Sequence, residues 1–174
     1  MFRFPTAAKI GIAGLFCFVV SGVGTAPVAA DDAPGIQVSQ SSPVHPVLIR
    51  NEHGPLVRIV VDVADSADVE VEAVEFQLAG TDDLDDLESL TMFWTGDKET
   101  FSPENQFGDS AKPAATVAFR SQRTLSGGKN VFWLSARVKD TANLSHHVSA
   151  VCTEIETNKG HVVAKNGSPG VRHR

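Results

Sequence analysis

Trp94 and Trp133 are the two tryptophans of a 174-residue chain, and an indole face is a surface on which the apolar C–H side of a sugar ring can stack. Trp133 alternates with Phe132 and Leu134, so it faces away from the core those residues build. That makes it the stronger candidate for contact with glycan or a neighbouring domain, with Trp94 second. Asp82, Asp83, Asp85, Asp86 and Glu88 offer the hard oxygen donors that calcium takes. They lack the spacing and glycine of an EF-hand loop, and Leu84 and Leu87, three apart, read as one amphipathic turn with Thr81 placed to cap it. A solvated acidic face is expected there, with no metal. His146 and His147 adjoin within an extended segment, point to opposite faces and so cannot share one ion; surface histidines are expected. Cys152 has no His and acid at readable spacing and reads as a buried structural thiol. No catalytic residue, metal or cofactor is assigned.

The elements that must position these residues are short and extended. Val57, Ile59, Val61 and Val63 share one face of "PLVRIVVDVA", with Leu56, Arg58, Val60 and Asp62 on the other. "HPVLIRN" alternates through Val47 and Ile49. In "DVEVEAVEFQLAG" the apolar phase slips between Ala73 and Val74, which a β-bulge would absorb. "SLTMFWTGD" is a strand, Lys98 to Pro113 a long loop, "ATVAFRS" a strand with Val117 and Phe119 on one side, and "VFWLSARVKD" a strand with Phe132, Leu134, Ala136 and Val138 inward. "HHVSAVCTEIET" and "HVVA" follow, separated by the turn Asn158-Lys159-Gly160. About eight short strands without a helix of useful length predict an all-β fold, an antiparallel β-sandwich. No internal repeat marks a solenoid or propeller.

Residues 1–30 stand apart. Arg3 and Lys9 precede an apolar run of eleven, Ile10 to Val20, and Val28-Ala29-Ala30 forms a small-residue cleavage site: a secretory signal peptide. As a helix that run rises about 16 Å against a bilayer core of roughly 30 Å, too short for a membrane anchor. Phe16 before Cys17 argues against a lipoprotein site. Export, to the periplasm or outside the cell, is expected. Without these residues the chain holds thirteen Lys and Arg against twenty-one Asp and Glu, net −8, which disfavours nucleic acid as a partner. Cys152 is then the sole cysteine, so no internal disulfide can form. Residues 31–43, rich in Ala, Pro, Ser and Gln, read as a flexible lead-in, with the sandwich spanning 44–166.

"VLIRNEHGPLVRIVVDV", "GTDDLDDLESLTMFWTGDKETF", "GKNVFWLSARVKDTANLSHHVSAVCTEIET" and the tail "SPGVRHR" together resemble the N-terminal accessory domain that precedes the catalytic propeller in bacterial BNR-repeat sialidases, or neuraminidases. The resemblance spans nearly all of residues 46–174. It implies an accessory β-sandwich whose partner is the propeller or glycan, and it makes residues 167–174 look like a junction truncated before that propeller. The family's nucleophile is a Tyr, paired with a Glu and helped by an Asp acid/base and three Arg that clamp the substrate carboxylate. Those groups belong to the propeller, and none carries over to a position here; the chain contains no Tyr. "TGDKETF", Thr95 to Phe101, is superficially similar to the propeller's Ser-x-Asp-x-Gly-x-Thr-Trp box. Glu99 stands at the Gly position, where a tight turn needs glycine, and the aromatic arrives one residue early, so a loop ending a strand is the better reading. The expectation is a non-catalytic module, scaffold or glycan-binding, of an exported exo-α-sialidase. The alternatives are that the parent gene product is itself an exo-α-sialidase, or that the domain is a stand-alone periplasmic interaction protein.

Overall fold

A computed structural model describes residues 35–43, 47–49, 51–64, 68–164 and the backbone of 172–173. The segment 1–30 expected to be a signal peptide, Cys17 within it and most of the tail 167–174 lie outside the described residues. Within them the chain builds two four-stranded antiparallel sheets. The first has the order β1 (Ile36–Ser41), β2 (Gly54–Val63), β6 (Gly128–Val138), β4 (Leu87–Trp94). The second has the order β5 (Thr116–Thr124), β3 (Glu70–Gln77), β8 (Val151–Thr157), β9 (Gly160–Val162). A two-residue ribbon joins β7 (His147–Val148) to β10 (Arg172–His173).

The core is the space between the sheets. Ile59, Val61, Phe132, Leu134, Leu90 and Met92 from the first sheet meet Val71, Val74, Phe76, Phe119, Cys152 and Ile155 from the second, all essentially without solvent contact. Phe76 meets Phe119 edge to face at 5.9 Å. A phase slip in β3 is present but earlier than the alternation places it: the register shifts between Val71 and Ala73, not between Ala73 and Val74. Val71 and Val74 consequently both point inward, while Ala73 stays outside the main cluster.

Two segments differ from the sequence reading. The lead-in 31–43 is not flexible where it is described: β1 pairs with β2 through all six residues from Ile36 to Ser41, and Ile36 and Val38 enter the core. Two apolar residues among Ser and Gln give too short an alternation to stand out. Gln40 then joins the sheets, since its side-chain amide donates to the Cys152 carbonyl at 3.0 Å and accepts from the Cys152 N–H at 2.8 Å. Conversely, residues 47–49 are not a strand. Val47 is buried against β2, so close that a Cβ at Gly54 would overlap its side chain.

The long loop after β4 runs back along the free edge of that strand. Trp94 N–H donates to Asn105 O, Phe107 N–H to Met92 O, and Leu90 and Ala111 exchange both backbone bonds. A sheet edge that would otherwise be open is thereby paired. Phe107 drops into the core against Phe132 at 5.5 Å. Gly108 follows with φ +71, and a Cβ there would lie 2.7 Å from the Arg120 carbonyl oxygen, so the close approach of loop to β5 requires glycine.

The Cys152 reading holds. The thiol is buried, and desolvation pushes its pKa up to about 12. At pH 8 only about one thiol in 10⁴ is then ionised. A thiol-reactive disulfide reagent should leave Cys152 unlabelled in the native protein over hours and label it stoichiometrically in denaturant, as read by mass spectrometry of the peptide that carries it; rapid labelling of Cys152 in the native protein would contradict this burial.

Candidate functional site

Cross-strand register places the two tryptophans on opposite faces of the first sheet. Trp94 pairs with Phe132 and faces the core side, and Phe93 pairs with Trp133 on the outer side. They cannot form one platform. Trp94 is half-buried with Arg123 over its ring at 4.6 Å.

Trp133 faces outward as its alternation predicts, but it is not an open stacking surface, being only 5% exposed. Phe101, from the loop after β4, lies edge-on over it at 5.8 Å and over Phe93 at 5.7 Å, while Val131 and Val60 complete a small second cluster. The indole N–H donates to Thr95 Oγ1 at 3.1 Å, and that hydroxyl donates to the Lys98 carbonyl at 2.7 Å. "TGDKETF" is accordingly a loop at the end of a strand, fastened to the sheet by Trp133 on one side and by Phe101 on the other.

Between the two anchors stands Glu99, which reaches over the outer face. Rows of cross-strand neighbours floor that face: Gln37, Asp62 and Lys129; then Ser39, Val60 and Val131; then Ser41, Arg58 and Trp133. The small serines of β1 leave a trough. One hollow of about 550 Å³ is lined by Ser39, Arg58, Val60, Asp62, Glu99 and Lys129. A second of about 270 Å³ is lined by Ser41, Ser42, Pro43, Arg58 and Trp133. Arg58 borders both.

Arg58 Nε donates to Ser41 Oγ at 3.2 Å and its Nη1 to Glu99 Oε2 at 3.2 Å; Lys129 Nζ donates to Glu99 Oε1, also at 3.2 Å. The Lys129 hydrogen bond, followed by the charges of Lys129 and Arg58, holds the Glu99 carboxyl below the usual carboxylate range. The arrangement can bind an anion with a planar pair of oxygens. Sequence reasoning assigned Arg58 to the outer face of its strand and treated Glu99 only as a misfit in a turn. The available signal was an arginine, with Asp62, in the outward phase of a mostly aliphatic strand.

The acidic segment also departs from expectation. Leu84–Asp86 is a single 3₁₀ turn, capped by Asp83 Oδ1 accepting from the Asp85 N–H at 2.8 Å and not by Thr81, whose hydroxyl donates to the Ser149 carbonyl. Asp86 is buried instead of solvated. It accepts from the Asn143 N–H at 3.0 Å and lies 2.7 Å from His146 Nδ1, donors that let a carboxylate leave water. His147, the first residue of β7, bonds Asp82 instead, while His146 precedes the strand. The His147 backbone N–H and then its ring hold the Asp82 carboxyl below the usual range. Each histidine is about 30% exposed and carboxylate-bound, so neither is a bare surface residue. Asp83, Asp86 and His146 each bring one potential ligand atom within 4.8 Å of the others. The hydrogen bonds of Asp86 and His146 fasten the loop 139–146 to the turn, a structural task.

The sequence profile described as the N-terminal domain of BNR-repeat neuraminidase matches residues 35–161. Among solved structures, one titled Hadza microbial sialidase Hz136 superposes with a TM-score of 0.63 at 19% identity, over 78% of this chain and 30% of that one. That likeness speaks to the fold, and the chain spans less than a third of that sialidase's length. No curated protein matches the chain. Among the described residues no helix is long and apolar enough to cross a membrane.

Proposed function

Because the chain belongs to the family of N-terminal domains of BNR-repeat neuraminidases, we propose that it is a non-catalytic accessory module of an exported exo-α-sialidase, holding glycan within reach of a catalytic propeller. The observation that carries this reading is the trough on the outer face of the first sheet. It is lined by Arg58, Ser41, Ser42, Pro43 and Trp133, a mixture of polar and apolar groups suited to a sugar. Its floor, with Arg58 and Trp133, is built on paired strands, while Ser42 and Pro43 follow the end of β1. The absence of Tyr from the chain supports the non-catalytic part of the reading. The net negative charge speaks against nucleic acid as the alternative ligand.

A glycan array probed with the purified chain tests this. Wild-type protein should retain a subset of glycans, and Arg58→Ala should lose at least tenfold in affinity, the order expected when a hydrogen bond to a charged group worth about 1.5–3 kcal/mol is removed. Retention unchanged in Arg58→Ala, with its melting temperature preserved, would move the site elsewhere; no retention of any glycan would leave only a scaffolding role.

A further inference from the structure

We propose that Glu99 is a built-in occupant of the trough, its carboxylate standing where the carboxylate of an acidic sugar binds, so that such a ligand enters by displacing it from Arg58 and Lys129. This rests on the glycan-holding reading above and specifies its ligand class.

The geometry already displays a carboxylate fitted to the site. Each oxygen of Glu99 meets a different cation at 3.2 Å, one from β2 and one from β6. Arg58 is fixed from behind by its Nε bond to Ser41, so the rest of the guanidinium is presented to the trough without further ordering. Ordering a long cationic side chain is a large part of what anion binding otherwise costs.

The occupant, by contrast, is easily moved. Side-chain anchors lie on both sides of it, at Thr95 and at Phe101, but the Glu99 side chain itself is half-exposed, 52%, and is held by surface ion pairs, which are weak. It can swing into solvent without disturbing either anchor. Asp62 lies beside Lys129 in the same cross-strand row and opposes an incoming anion at that end. The Arg58 end carries no such acid once Glu99 has left, and it opens onto the second hollow, where Pro43 and the hydroxyls beside it can meet the body of a sugar. The carboxylate is thereby directed to Arg58 and the ring toward Pro43.

A merely structural ion-pair network and a displaceable occupant predict opposite signs for one substitution. Isothermal titration of the full chain with sialyllactose and with lactose, for wild type, Glu99→Gln and Arg58→Ala, separates them, with melting temperatures to confirm folding. Glu99→Gln should bind sialyllactose at least fivefold more tightly than wild type, leave lactose unchanged, and Arg58→Ala should abolish the sialyllactose signal. Sialyllactose affinity equal or lower in Glu99→Gln overturns the occupant role while the glycan-holding reading stands, as does an equal gain for lactose. Failure of both sugars on both wild type and Glu99→Gln, together with an empty glycan array, overturns both.

Discussion

Trp133→Ala should lower the stability of the domain by about 3–5 kcal/mol, the range for removing a buried aromatic side chain, and its melting temperature by roughly 10 °C for a chain of this size. The ring lies under Phe101 and against Phe93 and Val131, and its N–H is bonded to Thr95. Truncation leaves a cavity, uncovers Phe101 and releases the loop that carries Glu99. Trp133→Phe separates the contributions, because it keeps most of the volume and loses the hydrogen bond, at a cost of about 1–3 kcal/mol for the polar group left behind. Thermal unfolding followed by circular dichroism reads both. If Trp133→Ala costs less than 1 kcal/mol, the indole is an open surface residue and the covering by Phe101 is wrong.

This prediction also marks the boundary of what periodicity can say. The alternation in β6 placed Phe132, Leu134, Ala136 and Val138 inward and Trp133 outward, and every one of those orientations is found. Facing away from the main core is a property of the strand, whereas exposure depends on what else arrives. Phe101 arrives from another loop, 32 positions earlier, and no local pattern announces it. The same limit applies to Asp86. Its spacing from Leu84 and Leu87 read as a solvated turn, yet its donors come from Asn143 and His146, 57 and 60 residues away.

The two sheets were legible because apolar residues recur every second position over seven residues in β2 and β6, and in two shorter runs on either side of the phase slip in β3. β1 was missed because only Ile36 and Val38 carry the pattern, and the residue that fixes its place against the second sheet is polar Gln40. The candidate site was the least legible part. Arg58 and Glu99 are 41 residues apart and Glu99 and Lys129 are 30 apart, so their meeting is a consequence of sheet order and loop course. What the sequence did offer was the choice of residue type, an arginine among aliphatic neighbours.

On the proposed reading, the chain accompanies a sialidase without performing its chemistry. Cleaving a sialoside needs a nucleophile able to attack an anomeric carbon that already bears a carboxylate. In this enzyme class a phenol does so, because a carboxylate attacker would be repelled. The chain has ten Phe, two Trp and no Tyr. The Cys152 thiol is buried with a raised pKa, and Glu99, the carboxylate in the trough, is itself anionic and paired with two cations. The geometry therefore supplies groups that could hold a sugar acid and no phenol to attack it. The most direct measurement is release of fluorophore from a fluorogenic sialoside by the homogeneous purified chain, compared with buffer alone. The account predicts rates indistinguishable from buffer at any protein concentration, and turnover that scales with the wild-type chain and disappears in Arg58→Ala would contradict it.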